Sequence, residues 1–516
     1  MTVKKLTGAP SANERRDWKA INWQKAQSEV KRLQMRIAKA VKEKRYGKAK
    51  ALQWMLTHSH YAKMLAVKRV TGNSGAKTPG IDGVIWKTDT QKWQSACQLK
   101  HNGIKTQPLR RIYIPKKNGQ KRPLGIPTMM DRAHQALHLL ALEPIAETTA
   151  DINSYGFRPK RSTADAIEQC FIVLAKKASA QWVLEGDIKA CFDKISHQWL
   201  LENIPMDKMV LKQWLKAGFI HDNEWYPSDS GAAQGGSASP TIANLALDGI
   251  EPLIKSLSRQ QDKANFIRYA DDFIITGSSK EFLEEKVKPA LKTFLATRGL
   301  SLSDEKTHIT HIDEGYDFLG FNVRKYNGKL LIKPSKKNTR AMLEKVRDTI
   351  KTRKGATAAE LIKTLNPIIR GWANYHQHVV SKRTFSYVDS HIFNSIWQWC
   401  CRRHPEKGSR WIKGKYFASF DNQNWVFSAT CKNHDGERKT HNLIQAGHVP
   451  IRRHIKIRSV ATPYDQTYQA YFAARAQRNK SSDYKRSIHS GAIGINTTKY
   501  TTSKPLGHEK SGFIKA

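Results

Sequence analysis

Between Phe266 and Ser279 the chain reads FIRYADDFIITGSS, two apolar runs interrupted by the adjacent acids Asp271 and Asp272. Side chains alternate along a strand, so Phe266-Ile267, a break, and Phe273-Ile274-Ile275 predict a hairpin with the acids at its tip. Aspartate is a common turn residue, and a solvated tip is one reading of the pair. The other is a metal site. Two carboxylates in an apolar setting repel each other and lose hydration unless a cation neutralises them, and Mg²⁺ takes one or two carboxylates plus substrate phosphates. A third carboxylate from elsewhere separates the two readings.

That acid stands in VLEGDIKACFD, where the apolar strand begun by Val183 and Leu184 ends near Asp187, about 85 positions upstream. Three acids at strand ends can converge. Two-metal phosphoryl transfer uses such carboxylates to hold Mg²⁺ ions roughly 3.5 to 4 Å apart, one at a 3′-hydroxyl and one at the leaving pyrophosphate. Asp193 is a fourth candidate, but on an extended strand it would lie roughly 20 Å beyond Asp187, so it is left outside the site.

Charge points to the partner. The 516 residues carry 88 Lys and Arg against 44 acids, a formal charge of +44 that exceeds what solubility requires and predicts a polyanion. A membrane surface competes, but no apolar run approaches 18 residues and MTVKKLTGAP lacks a signal-peptide core, so a non-membrane, cytoplasmic nucleic-acid binder is expected. Six scattered cysteines fit a reducing compartment, and Cys431 with His434 has only half of a zinc spacing.

From Trp23 to about Leu65, Val30, Leu33, Ile37 and Val41 recur at helical spacing, while Lys31, Arg32, Arg36, Lys39 and Lys42 make the polar face almost purely basic. This face is expected to meet nucleic acid. TGNSGAKTPGIDG, Thr71 to Gly83, lacks P-loop spacing and reads as a flexible linker and turn. Residues from about 105 to 320 alternate strands (RRIYIP, WVLEGDI, FIIT, HITHI) with helices such as Ala133–Ala146 and Thr163–Leu174. After Lys336 helices dominate, with Met342, Val346 and Ile350 at four-residue steps and a capping box Thr357-x-x-Glu360. From Ala473 the chain is basic, poor in large apolar residues and expected to be flexible.

In order, GDIKACFD, AQGGSASPTIAN (Ala233 to Asn244), YADD, GLSLSDEKT (Gly299 to Thr307) and FLGF (Phe318 to Phe321) resemble the palm motifs of reverse transcriptases. PLRRIYIPKKNGQKRPLGIP (Pro108 to Pro127) and SYGFRPKRSTADAI (Ser154 to Ile167) resemble the fingers of group II intron-encoded proteins. LNPIIRGWANYH (Leu365 to His376) and RRHPEKGSRWIKGKYF (Arg402 to Phe417) resemble that family's maturase X domain. The resemblance covers roughly residues 20 to 470 and rests on motif order, since YADD alone is common.

The resemblance implies an α/β (α+β) right-hand polymerase: fingers and palm around a mixed or antiparallel sheet, an all-α thumb (maturase X) domain and a basic C-terminal region. The boundaries expected are 1–70 for a basic helical N-terminal extension, 71–325 for fingers and palm, 326–430 for the thumb, 431–472 for a basic DNA-binding remnant and 473–516 for a flexible tail. It makes Asp187 and Asp271 the principal ligands of two Mg²⁺ ions, with Mn²⁺ as the alternative, and Asp272 a peripheral third acid. Phe192 becomes the aromatic gate against a ribose 2′-hydroxyl, Lys116 and Arg122 the grip on the triphosphate, and Gln234 a neighbour of the nucleotide. Lys306 is either the general acid toward pyrophosphate or an exposed lysine at a strand end. A core aromatic remains the other reading of Phe192, and a loop on template backbone that of Lys116 and Arg122. Ala233 stands where the family usually has Pro.

The stretch VPIRRHIKIRSVATPYD (Val449 to Asp465) is not followed by the cysteine pairs of the family's HNH nuclease, so second-strand cutting is not expected, while Arg452, Arg453, His454, Lys456 and Arg458 could contact DNA phosphates. The expected partners are group II intron RNA, a DNA target or primer and deoxynucleoside triphosphates, with a homodimer as one option, in a bacterial or organellar compartment beside the nucleoid. The expected activity is RNA-directed DNA synthesis coupled to splicing and retromobility. Its alternatives are a splicing maturase with an idle polymerase and a host-recruited reverse transcriptase, for instance in antiphage defence.

Overall fold

A computed structural model describes residues 17–100, 105–115, 119, 121–420, 423–432 and 437–478. The chain divides into two compact units, Met1–Tyr468 and Gln469–Ala516; of the second, residues 469–478 are described and helical.

The basic N-terminal sequence makes three helices, Trp23–Lys42, Tyr46–His58 and His60–Thr71. Val30, Ile37 and Val41 are buried as their spacing predicts, against Met129, Ala133, Leu137 and Ala141 of the helix Met129–Thr149. Residues 1–70 are therefore not a separate extension over their described part, because their apolar stripe closes a core that the fingers complete. Nor is Thr71–Gly83 a loose linker. Buried Arg132 donates to the carbonyls of Gly75 at 2.9 Å and Thr78 at 2.6 Å, and a Cβ on Gly80 would lie 2.6 Å from the Thr128 backbone.

Four antiparallel strands form the central sheet, in the order Asn265–Tyr269, Asp272–Gly277, Trp182–Asp187 and His308–His311. Val183, Leu184 and Phe273 to Ile275 are buried in consecutive positions, which requires cover on both sheet faces. A second sheet pairs Leu109–Pro115 antiparallel with Lys121–Ile126 and parallel with Phe219–His221, which pairs with Glu224–Tyr226. The Gly125 amide donates to the Gln234 carbonyl at 2.8 Å, joining this ribbon to the Gly-rich loop.

A third sheet, Tyr316–Phe318, Phe321–Tyr326 and Lys329–Pro334, turns at Asn327 and Gly328 with φ of 48° and 75°. The expected boundary at 325/326 would cut this hairpin. Helices Lys336–Thr352, Ala358–His376, Lys382–Arg403 and Ser409–Tyr416 follow, with the Thr357/Glu360 capping box present. The region expected as all-α also contains strands: Phe417–Phe420, Gln423–Lys432 and Arg438–Asn442 form an antiparallel sheet that closes the same core through Phe417 and Phe427.

This helical region has a built-in acid sensitivity. His376 is fully buried among Phe321, Trp372 and Tyr375 and donates from Nε2 to Asn338 Oδ1 at 3.0 Å. Burial, then repulsion from His378, lowers its pKa from 6.5 to about 3. The unfolded chain binds this proton at a higher pH than the folded chain, so stability is lost as pH falls below 6.5. Melting of wild type and His376→Gln between pH 6.5 and 4.5 should show the variant losing less, by about 2 kcal/mol.

Beyond the last sheet, residues 449–468 form a strap without strand or α-helix, interrupted by turns and ending in the 3₁₀ turn Gln466–Tyr468. Arg452 N–H donates to the Gln377 carbonyl, Ile457 N–H and His454 Nε2 both meet Asp165 Oδ1 at 2.7 Å, Tyr464 OH donates to Glu143, and Lys42 pairs with Asp465. The segment expected as a DNA-binding remnant is thus bonded into the fingers. Among the described residues no helix is long and apolar enough to cross a membrane.

Candidate active site

The expected hairpin is present. Tyr269 pairs with Asp272, leaving Ala270 and Asp271 as a two-residue turn with Ala270 at φ 59°, and the next strand places Asp187 directly opposite Asp272. Directly opposed residues share a sheet face, which brings the Asp187 and Asp272 carboxyls together. Burial and neighbouring charge raise the pKa of both acids of the turn. Asp271 is raised above the ordinary carboxylate range, by burial first and then by the Asp187 charge against the opposing influence of Arg122 and Lys306. Asp272 lies at the more open edge, yet the protein displaces water around its carboxyl and the Asp271 and Asp187 charges add to this, raising it to about 6.

Beyond Asp187 the chain pairs with GLSLSDEKT. Lys189 N–H donates to Ser301 O at 3.0 Å and Ser303 N–H to Asp187 O at 2.8 Å, which brings the 3₁₀ turn Asp304–Lys306 beside the acids. Lys306 Nζ stands 2.6 Å from Asp187 Oδ2, and this contact raises the ammonium pKa. Among the described residues no group of three or more acidic, His or Cys side chains is arranged so as to hold a metal ion by itself. Mg²⁺ keeps waters and takes few carboxylates beside substrate phosphates, and an all-oxygen donor set fits it. Asp187 and Asp271, with Asp272 alongside, are the residues that would hold it.

The expectation that Asp193 lies far along a strand is overturned. Ala190, at φ 48°, turns the chain into the short helix Cys191–Lys194. The buried Cys191 thiol is pushed up to about 12 by burial and by the charges of Asp271, Asp187 and Asp193, which places all three acids around it. Asp193 Oδ2 accepts from Gln234 Nε2 at 3.5 Å. Phe192 is half-buried, its carbonyl accepts from Ala232 N–H at 2.7 Å, and its ring stands edge-on to Phe157 at 6.2 Å. Phe157 is 53% exposed and has φ 58°, a strained conformation for a bulky residue.

Arg122 is exposed on the ribbon, and Asp271 feels its charge. Lys116 lies outside the described residues. Lys31, Arg32, Arg36 and Lys39 are all exposed, but their face is less purely basic than expected: Arg32 pairs with Glu29 at 2.7 Å and Lys39 with Glu43 at 3.9 Å. On the strap Arg453 and Arg458 are exposed and Arg452 is half-buried. Lys456 is half-buried too and donates to Ser459 Oγ at 2.7 Å, with burial and then Arg161 lowering its pKa.

An acid-tipped antiparallel sheet with a basic ribbon and a helical region after it is the arrangement of a right-hand polymerase. Three family models agree in chain order: N-terminal domain of reverse transcriptase over residues 18–99, reverse transcriptase (RNA-dependent DNA polymerase) over 114–323, and the maturase-specific domain of group II introns over 339–417. Protein YkfC of Escherichia coli (strain K12) is 31% identical over 303 residues, 50% of this chain and 79% of YkfC. Group II intron-encoded protein LtrA of Lactococcus lactis subsp. cremoris is 30% identical over 329 residues, 50% of this chain and 54% of LtrA. Maturase-like protein 1 of Euglena gracilis is 24% identical over 361 residues, 67% of this chain and 75% of that protein. The chain belongs to the family of group II intron-encoded reverse transcriptases and maturases. Its match spans about half the length of LtrA.

Proposed function

We propose that this protein is an RNA-directed DNA polymerase that binds a group II intron RNA, assists its splicing and copies it into DNA from a 3′-hydroxyl primer during retromobility. The observation that carries the reading is the register that sets Asp187 opposite Asp272 at the edge of the Ala270–Asp271 turn, with Lys306 and Arg122 acting on the same acids. Bound Mg²⁺ would supply activation of the primer hydroxyl and neutralisation of the leaving pyrophosphate. Arg122, with Lys116, draws the triphosphate to the acids. Lys306 suits charge neutralisation better than proton donation, because Asp187 raises its pKa away from working pH. Such a protein works where its RNA and DNA meet, beside a bacterial or organellar nucleoid.

Primer extension on an RNA template, with deoxynucleoside triphosphates and Mg²⁺, tests the activity, and absence of cDNA from the wild type overturns it. A splicing assay with the cognate intron RNA tests the maturase half separately. The same extension assay tests the gate: Phe192→Val should raise ribonucleotide incorporation relative to deoxynucleotide by about 10-fold or more, since the ring no longer fills the space of a 2′-hydroxyl. An unchanged ratio would return Phe192 to an ordinary packing role.

A further inference from the structure

Beneath the acidic turn lies a buried polar frame that the chemistry above does not use. Arg268, on the strand Asn265–Tyr269, is wholly buried. Its Nη1 donates to Asn244 Oδ1 at 3.0 Å and, at 3.4 Å, to the carbonyl of Ala270, the first residue of the turn. Its Nη2 donates to Asp248 Oδ1 at 2.5 Å. Asn244 passes the linkage on, donating from Nδ2 to the Gly156 carbonyl at 2.9 Å.

Gly156 packs against the backbone of the same turn. A Cβ there would lie 2.3 Å from the Ala270 nitrogen and 2.9 Å from the Tyr269 carbonyl carbon, so only glycine permits this approach. The backbone closes the frame, with Arg268 N–H donating to Asn153 O at 3.0 Å and Tyr155 N–H to Arg268 O at 2.8 Å. The turn needs such support, since Ala270 at φ 59° holds a conformation that L-residues avoid and that persists only when its surroundings over-determine it. Burying a guanidinium is also costly, and a well-packed apolar side chain would serve stability as well or better. What the guanidinium adds is direction: a rigid plane of donors reaching three fixed acceptors, which an ammonium cannot reproduce.

We propose that Arg268 is a positioning residue of the polymerase site: anchored by Asn244 and Asp248, it grips the Ala270 carbonyl and fixes the turn so that Asp271 and Asp272 stand at a set spacing from Asp187. The inference rests on the polymerase reading, and its test separates the two. Full-length wild type, Arg268→Lys and Asn244→Ala are compared by thermal melting, by primer-extension kinetics, and by backbone cleavage with Fe²⁺ and ascorbate, which reports a metal held at the acids without turnover.

Wild type should be cut near residues 187 and 271, with Mg²⁺ competing. Arg268→Lys should lose about 30-fold in kcat with KM for the nucleotide little changed, because misplacement of reacting groups by an ångström costs on that scale. Its cleavage at 187 and 271 should need about tenfold more Fe²⁺, as for loss of a group that orients metal ligands. Asn244→Ala, which keeps the Arg268–Asp248 pair, should show the same changes at smaller size and decides the matter if Arg268→Lys does not fold. Folded variants with wild-type kcat and wild-type Fe²⁺ dependence would overturn the proposal and leave Arg268 a stabilising residue only. If the wild type makes no cDNA, the polymerase reading fails, while a shifted Fe²⁺ dependence still identifies Arg268 as the residue that sets the acids.

Discussion

Asp271→Asn is expected to abolish cDNA synthesis, by about 10³-fold or more, while the protein melts at a higher temperature than wild type at pH 8. The loss follows from the site. Asp271 is the half-buried acid at the turn, between the charges of Asp187, Arg122 and Lys306, and an amide of the same shape supplies no charge to hold a metal. The gain in stability follows from the direction of its pKa. A carboxyl raised above its unfolded value by burial and by Asp187 opposes folding once pH exceeds that unfolded value, and an uncharged amide removes the opposition. Activity falling while stability rises separates a functional acid from a structural one, whose loss would lower both. Asp272→Asn should cost less activity, because Asp272 is the more exposed residue of the pair. Primer extension and melting of the same preparations read both effects, and an Asp271→Asn protein that still makes cDNA would sink the assignment.

Arg158→Met should be the most damaging single change to the fold, at about 3–5 kcal/mol. Arg158 and Glu147 are each 4% exposed and form a two-pronged pair, Nε to Oε1 at 2.8 Å and Nη2 to Oε2 at 3.0 Å. Nη1 also donates to the carbonyls of Asp151 at 2.8 Å and Ser154 at 2.9 Å, so one side chain holds the loop that carries Gly156 and Phe157. Its removal strands a buried carboxylate and two carbonyls. Adding Glu147→Gln should recover much of the loss, because the neutral amide no longer needs a countercharge. Chemical denaturation of wild type, the single and the double variant measures this; a single variant within 1 kcal/mol of wild type, roughly the value of a surface pair, would show that Glu147 finds water or another partner.

The strand, turn and capping-box patterns were legible because each is set by neighbours a few residues apart: the 266–277 hairpin, the helix Thr163–Leu174 and the Thr357–Glu360 box all stand as read. Asp193 was misplaced because a single αL residue, Ala190, reverses the chain after Asp187, and alanine gives no local warning of that conformation. The 71–83 loop was misread because its anchor, Arg132, lies about 50 residues away and resembles any surface arginine until it is buried. The strap was read from its charges, whereas its placement is decided by Asp165, which receives both Ile457 and His454.

By itself the amino-acid sequence determined the kind of chemistry: acids at the ends of apolar strands, an excess of cations for a polyanion, and motifs whose order identifies a reverse transcriptase with a maturase region. Local periodicity and turn chemistry suffice for that. Only the tertiary structure decided that Asp187 meets Asp272 in register, that Lys306 reaches Asp187 across 119 positions, and that Arg268 and Gly156 both bear on the acidic turn. These contacts join residues far apart in the chain, and their energies arise from burial and hydrogen-bond direction, which exist once the core has closed around them.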